Sequence, residues 1–413
     1  MRIGIAGAGV AGLTVAWLLD GTHESVVLET REDLGGNLRS HRITDDHGIT
    51  RTVDLGVREV SLEAFELFAR LARGLGLTDA DWDDRPVTHT VRRAGEEHPL
   101  YCGSLTWTAE QGEAARTVDL FTRAAADWAE KDLRWSVPLH DVVEPLPVST
   151  EAKRDIIYAL PAALWGCEVT EAAALSARAV GAVFASDAPA GQVPTAQTLR
   201  NGMQDVARRL AAGLRTTELR PRAALRRIRR VGERWEMTDC HGLAHHVDAI
   251  VLAVPADVVT DALQPLADTE PVRRALSAYH YENLRHGLHL DPCYLPSDRR
   301  QWSTTNTVVD GCRAASTIHY RFDDDSDVFV SQLAHREQLP RRLLVCTEFR
   351  TLLPTPEMFA AQRLLNQVQG RGGLHFAGHI MAGTASQEAA VASAVDVARR
   401  LAPGSSRLAA LTP

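Results

Sequence analysis

Gly7, Gly9 and Gly12 stand at G-x-G-x-x-G spacing between the apolar stretch Arg2-Ile-Gly-Ile-Ala6 and the helix-forming run Val10 to Leu19. Strand, glycine turn and helix in that order present backbone N–H groups at a helix N-terminus with no Cβ in the way, as a pyrophosphate requires. In this layout Gly7 makes the tight turn, Gly9 admits the pyrophosphate and Gly12 lets the helix pack closely on its strand. Ser25-Val-Val-Leu-Glu29 then reads as a second strand ending in a carboxylate. It follows at about the 20-residue spacing at which an acid takes both hydroxyls of an unphosphorylated adenosine ribose. A second glycine pair comes soon after, Gly35-Gly36 in Arg31-Glu-Asp-Leu-Gly35-Gly36-Asn37. A fold for nicotinamide alone has no routine use for it, whereas a flavin dinucleotide can rest the other face of its pyrophosphate there. The cofactor expected is FAD.

Other chemistry-bearing residues leave two readings open. His289 and Asp291, two apart on a strand-like stretch, could form an acid/base pair on one face or a structural hydrogen bond. Trp165, Tyr281, Trp302 and Tyr320 could line an apolar cleft or fill the core. His241, His245 and His246 fall where a hairpin should turn, and Asp323 to Asp327 lacks the glycine and terminal acid of a calcium loop. No metal site is expected, and no G-x-S-x-G or P-loop is present.

The elements that position these residues are those of an ordinary globular chain. Its 413 residues, 45% hydrophobic and 24% charged, suffice for two domains. A net charge of −8 argues against a nucleic-acid partner, and the basic stretch Arg220 to Arg234 reads as a solvated face. Six scattered cysteines form no disulfide or zinc pattern. With no signal peptide and no apolar run of about 20 residues, the chain is expected in the cytoplasm, without an integral membrane segment. A homo-oligomer is left open.

Helices are expected over Leu62 to Leu77, Trp107 to Asp132, Thr170 to Phe184, from Gly202 onward, and over Gln387 to Leu401. Pro138, Pro145, Pro147 and Pro161 are expected to divide the intervening chain into short helices, with Ser149 capping one of them. Strands are expected at Ala224 to Val231, Trp235 to Thr238, Val247 to Val254 and Gly373 to Gly378, with a Pro-rich crossing over residues 255–271.

Four features together resemble the flavin amine-oxidase superfamily, which includes protoporphyrinogen oxidases and carotenoid desaturases. They are Gly7-Ala-Gly9-Val-Ala11-Gly12, Glu29-Thr30-Arg31 through Gly35-Gly36, Asn201-Gly202-Met203-Gln204 opening a helix, and Phe376-Ala-Gly378-His379 before the last helix. Leu160-Pro161 through Trp165, Leu288-His289-Leu-Asp291 and Gln301-Trp302-Ser303 bring the chain nearer to bacterial amine-oxidase-like proteins described as predicted NAD/FAD-binding.

The resemblance implies an α/β fold, a doubly wound, Rossmann-like, glutathione-reductase-type FAD domain with an inserted α+β substrate domain. The FAD domain would comprise residues 1–60, 195–258 and 365–413, and the substrate domain 61–194 and 259–364. It implies cofactor contacts at Gly7, Gly9, Ala11, Gly12, Glu29, Thr30, Arg31, Gly35, Gly36 and Asn37, and at Gly56, Val57 and Arg58 beside the flavin. Leu225 would hold the adenine, and Gly378, His379, Gln387 and Glu388 the far end of the cofactor. His379, Trp165, Trp302 and Tyr320 are the residues expected to face substrate.

His379 stands where many members carry an acid, and Asn37 where an arginine is common, though Arg39 is close. Only two lysines exist, Lys131 and Lys153, neither in a segment expected to reach the flavin, where many amine oxidases use one. The function expected is FAD-dependent removal of a hydride from a C–N or C–C unit of a small, apolar metabolite. The alternatives are a flavin-dependent double-bond isomerase of an unsaturated substrate and a non-catalytic flavin-binding subunit of a biosynthetic complex.

Overall fold

The computed structural model describes residues 1–44, 48–103, 112–185, 193–322 and 324–412. The chain divides into two compact units, one of residues 1–83, 197–279 and 360–413, the other of residues 84–196 and 280–359.

The first unit is built on a five-stranded parallel sheet. Its strands run Leu374–Phe376, Ala249–Leu252, Arg2–Ala6, Glu24–Leu28, Thr217–Arg220 in spatial order. The near-continuous apolar sequences of Arg2–Ala6, Glu24–Leu28 and Ala249–Leu252 suit strands buried on both faces. Arg2–Ala6 lies centrally: the chain leaves it through the helix Val10–Leu19 for one neighbour, and reaches the other only after residue 248. The order therefore reverses at its carboxyl end, where open α/β sheets leave a crevice for a ligand. All ten residues of Val10–Leu19 are buried, so this helix carries no polar face. The C-terminal helix Gln387–Leu401 packs beside it. This is the doubly wound arrangement expected from the sequence.

The second unit carries a seven-stranded sheet. In spatial order the strands are Leu343–Leu352, Tyr281–His289, Asp327–Gln332, Arg313–Arg321, Thr305–Asp310, His89–Arg93, Tyr101–Cys102. Only Thr305–Asp310 and His89–Arg93 pair in parallel. Phe121, Ile157, Trp165 and Val180 form its helical core with Val91 and Val309 of the sheet.

Several element boundaries differ from expectation. The helix expected over Leu62 to Leu77 spans Glu66–Gly74, and the one expected from Trp107 is described as Gly112–Glu130, residues 104–111 lying outside the described set. Thr170 to Phe184 is two helices, Val169–Ala172 and Ala177–Phe184, because Ser176 is extended and donates its N–H to the Pro354 carbonyl at 2.8 Å. Pro161 does not break its helix: residues 150–165 are continuously helical, with a π-turn at Lys153–Tyr158. A proline cannot donate to the carbonyl four residues back, and the wider turn accommodates that loss. Ser149 caps this segment as expected, accepting from Ala152 N at 3.2 Å. The Pro-rich crossing contains the helix Ala256–Leu263, with Pro255 at its N-cap.

Candidate functional site

The central strand of the first unit opens at its carboxyl end into Gly7, whose φ is 95°. A Cβ there would fall 2.4 Å from the Ala253 carbonyl oxygen, and one on Gly12 would fall 1.9 Å from the Gly7 carbonyl oxygen. Both positions need glycine for the fold itself. Gly9 is different: its φ is −72°, and the nearest atom to an added Cβ is the Gly36 Cα, 3.9 Å away. Space, not backbone strain, sets it apart. The second glycine pair closes on the first, since Gly35 N–H donates to the Ala8 carbonyl at 2.8 Å and a β-bridge joins Gly9 to Gly35. The two glycine turns meet backbone to backbone.

Glu29 ties this turn to the next. One carboxylate oxygen accepts from Ala8 N at 2.8 Å and the other from Arg31 N at 2.9 Å. Each oxygen has a second lone pair, so the anchored carboxylate can still accept from two ribose hydroxyls. Ala223 N–H donates to the Glu29 carbonyl at 2.7 Å and Arg222 N–H to the Arg31 carbonyl at 3.0 Å. Those bonds bring the start of the strand Leu225–Val231 beside the acid, with Leu225 half-buried at a register shift. Thr30 and Arg31 are exposed at the rim.

Two arginines flank the glycine turns. Arg39 Nε donates to the Gly36 carbonyl at 2.8 Å, and Arg58 Nη1 reaches the Gly56 carbonyl at 3.4 Å. The Asn37 carbonyl accepts from Val57 N at 3.2 Å, joining the two loops. Arg39 Nη2, Arg58 Nε and, on the C-terminal helix, Gln387 Oε1 are buried without a hydrogen-bond partner. An unsatisfied buried polar group costs about 1–3 kcal/mol, so these atoms fit a polar ligand that completes them.

Asp54, which sequence reasoning missed, sits at the end of the strand Thr50–Asp54, just before Leu55-Gly56. It accepts from Ser40 Oγ and from Met203 N at 3.0 Å, holding the start of the helix Gln204–Ala212. Burial pushes its carboxyl up to about 7, against the opposing pull of Ser40, Met203 and Arg58. The signal available was an acid directly ahead of Leu55-Gly56.

The C-terminal segment reaches the same turn. Gly378, φ 88°, lies next to Ala11, and its N–H donates to Ser393 Oγ at 2.8 Å. His379 is half-buried, with its carbonyl held by Gln362 Nε2 at 3.0 Å. Gln387 opens the helix Gln387–Leu401, whose Ser386 N-cap accepts from Ala389 N at 3.1 Å. Glu388 behaves otherwise than its position suggested. Its carboxylate accepts from Leu67 N at 3.0 Å and Phe68 N at 2.9 Å, capping the helix Glu66–Gly74, which has no capping side chain of its own. Glu388→Ala is expected to lower stability by about 1–2 kcal/mol and leave the flavin spectrum unchanged. Denaturant melts read beside the visible spectrum check this, and an altered spectrum at unchanged stability would refute it.

The aromatic candidates all lie in the second unit. Trp165 is buried in its helical core. Trp302 donates Nε1–H to the Pro296 carbonyl at 2.8 Å and packs edge-on to His319 and Phe329. Tyr320 follows His319 on one strand, so it points to the opposite face of the sheet, where the Arg85 guanidinium lies 4.2 Å from its ring centre. The sheet thus separates Trp302 from Tyr320. His289 and Asp291 do not pair side chain to side chain: His289 Nε2 is 2.8 Å from Ser331 Oγ, while Asp291 accepts from Arg342 N. Burial pushes the His289 imidazole down to about 4.

The family model described as flavin containing amine oxidoreductase matches residues 10–286 of the chain. Comparison with curated proteins finds no sequence match. Among solved structures, the chain is similar to a CLA-producing fatty acid isomerase from P. acnes, with 16% identity and a TM-score of 0.68 over 97% of this chain and 98% of that one. It is similar to cyclohexylamine oxidase from Brevibacterium oxydans IH-35A, with 15% identity and a TM-score of 0.67 over 97% and 99%. A putrescine oxidase bound to putrescine gives 17% identity and a TM-score of 0.63 over 97% and 99%.

Proposed function

Because the chain belongs to the family of flavin-containing amine oxidoreductases, we propose that it binds FAD at the paired glycine turns and removes a hydride from a C–N or C–C unit of a small, apolar metabolite. The observation that carries this reading is the junction of Gly9 and Gly35 beside the orphaned Arg39 Nη2. When bound, the flavin supplies the hydride acceptor. The chain's own residues bind and orient it. Glu29 would take the ribose, with the Leu225 strand against the adenine, while Gly9, Gly35, Gly36, Arg39 and Gly378 would surround the pyrophosphate. Gly56, Val57, Arg58 and Asn37 would border its ring, with His379 near its ribityl chain. The N-terminus of Gln387–Leu401 would present its positive end to a flavin held there, where it would favour negative charge on the ring.

The isomerase reading draws on the lysines. Lys131 pairs with Asp127 at 2.6 Å, and Lys153 Nζ donates to the Glu144 carbonyl at 2.6 Å, so both are committed within helical segments of the second unit. A chemistry that needs no reoxidation by O2 suits a chain without a further lysine.

Anaerobic titration of the purified protein with amines and with unsaturated acids tests both readings. Bleaching of the flavin band with a product two mass units lighter supports dehydrogenation, and a product of unchanged mass supports isomerisation. A band inert to every substrate, in protein that co-purifies with a partner, supports the scaffold reading. Arg39→Met is expected to weaken FAD retention about tenfold or more without lowering apoprotein stability. Folded, colourless wild-type protein would overturn the reading altogether.

The six cysteines form no disulfide among the described residues, and we take this to support a reducing, cytoplasmic compartment. Among the described residues, no helix is long and apolar enough to cross a membrane.

A further inference from the structure

The second unit contains an open cavity of about 600 Å³ lined by residues from that unit alone, among them Arg92, Tyr294, Val308, Ala315 and Arg336. Two of its arginines, Arg92 and Arg336, are fixed in place by backbone and ring contacts. Arg336 donates from Nε to the Gln332 carbonyl at 3.3 Å and from Nη2 to the Ala315 carbonyl at 3.1 Å, with its guanidinium 4.3 Å from the ring centre of Tyr294. Arg92 donates from Nη2 to the Tyr294 carbonyl at 3.1 Å, while its Nε is buried without a partner. Tyr294 therefore holds both cations, one by its ring and the other by its carbonyl.

Neither guanidinium has a carboxylate within ion-pair distance of 4.0 Å among the described residues. Asp310 lines the same cavity and its field reaches Arg336 without contact, whereas the third arginine there, Arg313, is neutralised by Glu168 at 2.9 Å. Burial opposes the charge on both Arg92 and Arg336, and the repulsion between them adds to it at Arg336. Two like charges held together in a half-buried cavity are stabilised by an anion that accepts from both.

We propose that this cavity binds a small organic anion, with its carboxylate or phosphoryl oxygens held by Arg92 and Arg336 and its body against Val308 and Ala315. The volume supports more than a bare ion, since pockets of about 300–1,000 Å³ enclose ligands of small-metabolite to drug size. Arginine suits either oxyanion, because its planar fork matches both geometries.

Isothermal titration of the full-length protein at constant ionic strength, with hexanoate in one arm and inorganic phosphate in the other, tests this site. Saturable one-to-one binding of either probe is expected, and the arm that binds identifies the headgroup. Hexylamine, which has the same body and the opposite charge, should not bind. Arg92→Met and Arg336→Met should each weaken binding about tenfold or more, and Arg123→Gln, which alters an exposed helical ion pair, should leave it unchanged. If either Met variant misfolds, Arg336→Lys keeps the charge and removes the fork, and should weaken binding several-fold.

Absence of saturable binding in both arms, or binding unaffected by the Arg92 and Arg336 variants, overturns the proposal. It does not depend on the flavin reading, and the visible spectrum of the same samples separates the two. Colourless protein that binds the anion refutes only the flavin proposal, and coloured protein that does not bind refutes only this one.

Discussion

Gly9→Ala is expected to yield folded protein that purifies without flavin, whereas Gly12→Ala is expected not to fold. The two glycines are three residues apart in one motif, but they have different surroundings. A Cβ on Gly12 meets the Gly7 carbonyl oxygen at 1.9 Å, an overlap between two backbone segments that no rotamer change relieves. Overpacking costs about 1–3 kcal/mol where side chains can shift, and here the loss should reach or exceed that range. A Cβ on Gly9 meets nothing closer than 3.9 Å, in a backbone conformation open to any residue. It would occupy the space we propose for the pyrophosphate, and an affinity loss of about 3 kcal/mol, or roughly a hundredfold, is expected. Circular dichroism and the ratio of flavin to protein absorbance separate the two effects. A coloured Gly9→Ala protein would refute the placement of the pyrophosphate.

The second large effect concerns Asp54 and pH. Its carboxyl is pushed up to about 7 from an ordinary value of 3.8, chiefly by burial. Between these values the folded protein holds a proton that the unfolded chain has released. The contribution of Asp54 to stability therefore falls as pH rises from about 4 to about 7 and is constant above that. At about 1.4 kcal/mol per pH unit, the ceiling is about 4 kcal/mol. Asp54→Asn retains an oxygen for Ser40 and Met203 and does not ionise. Its melting temperature relative to wild type is expected to climb as pH is raised from 5 to 8. Parallel melting profiles for the two proteins would refute the shifted carboxyl.

The legible part of the site was local. Gly7 has a φ of 95° and Gly12 is crowded by the Gly7 carbonyl of the same strand–turn–helix unit, so the motif spacing alone located the turn, although the Ala253 carbonyl that also bars a side chain from Gly7 comes from far along the chain. The C-terminal helix Gln387–Leu401 was readable to the residue, because an alanine- and valine-rich pattern follows a serine N-cap. The rest depended on partners far away in the chain. Glu388 looked like a cofactor residue by position, but its carboxylate caps a helix that begins more than 300 residues earlier. By sequence, Trp302 and Tyr320 could each line a cleft or fill the core, but strand alternation sends them to opposite faces of a sheet.

From residue order alone came the glycine turn, the ribose acid, the second glycine pair and the expectation of FAD, since each rests on backbone conformation within a few residues. Tertiary structure decided which polar atoms stay unsatisfied, Arg39 Nη2 and Arg58 Nε beside the turns and Arg92 Nε in the second unit, and which guanidinium groups, Arg92 and Arg336, have no ion-pair partner within 4.0 Å among the described residues. Satisfaction is a property of everything that packs around an atom, and the strands and loops that surround these guanidinium groups come from segments widely separated along the chain.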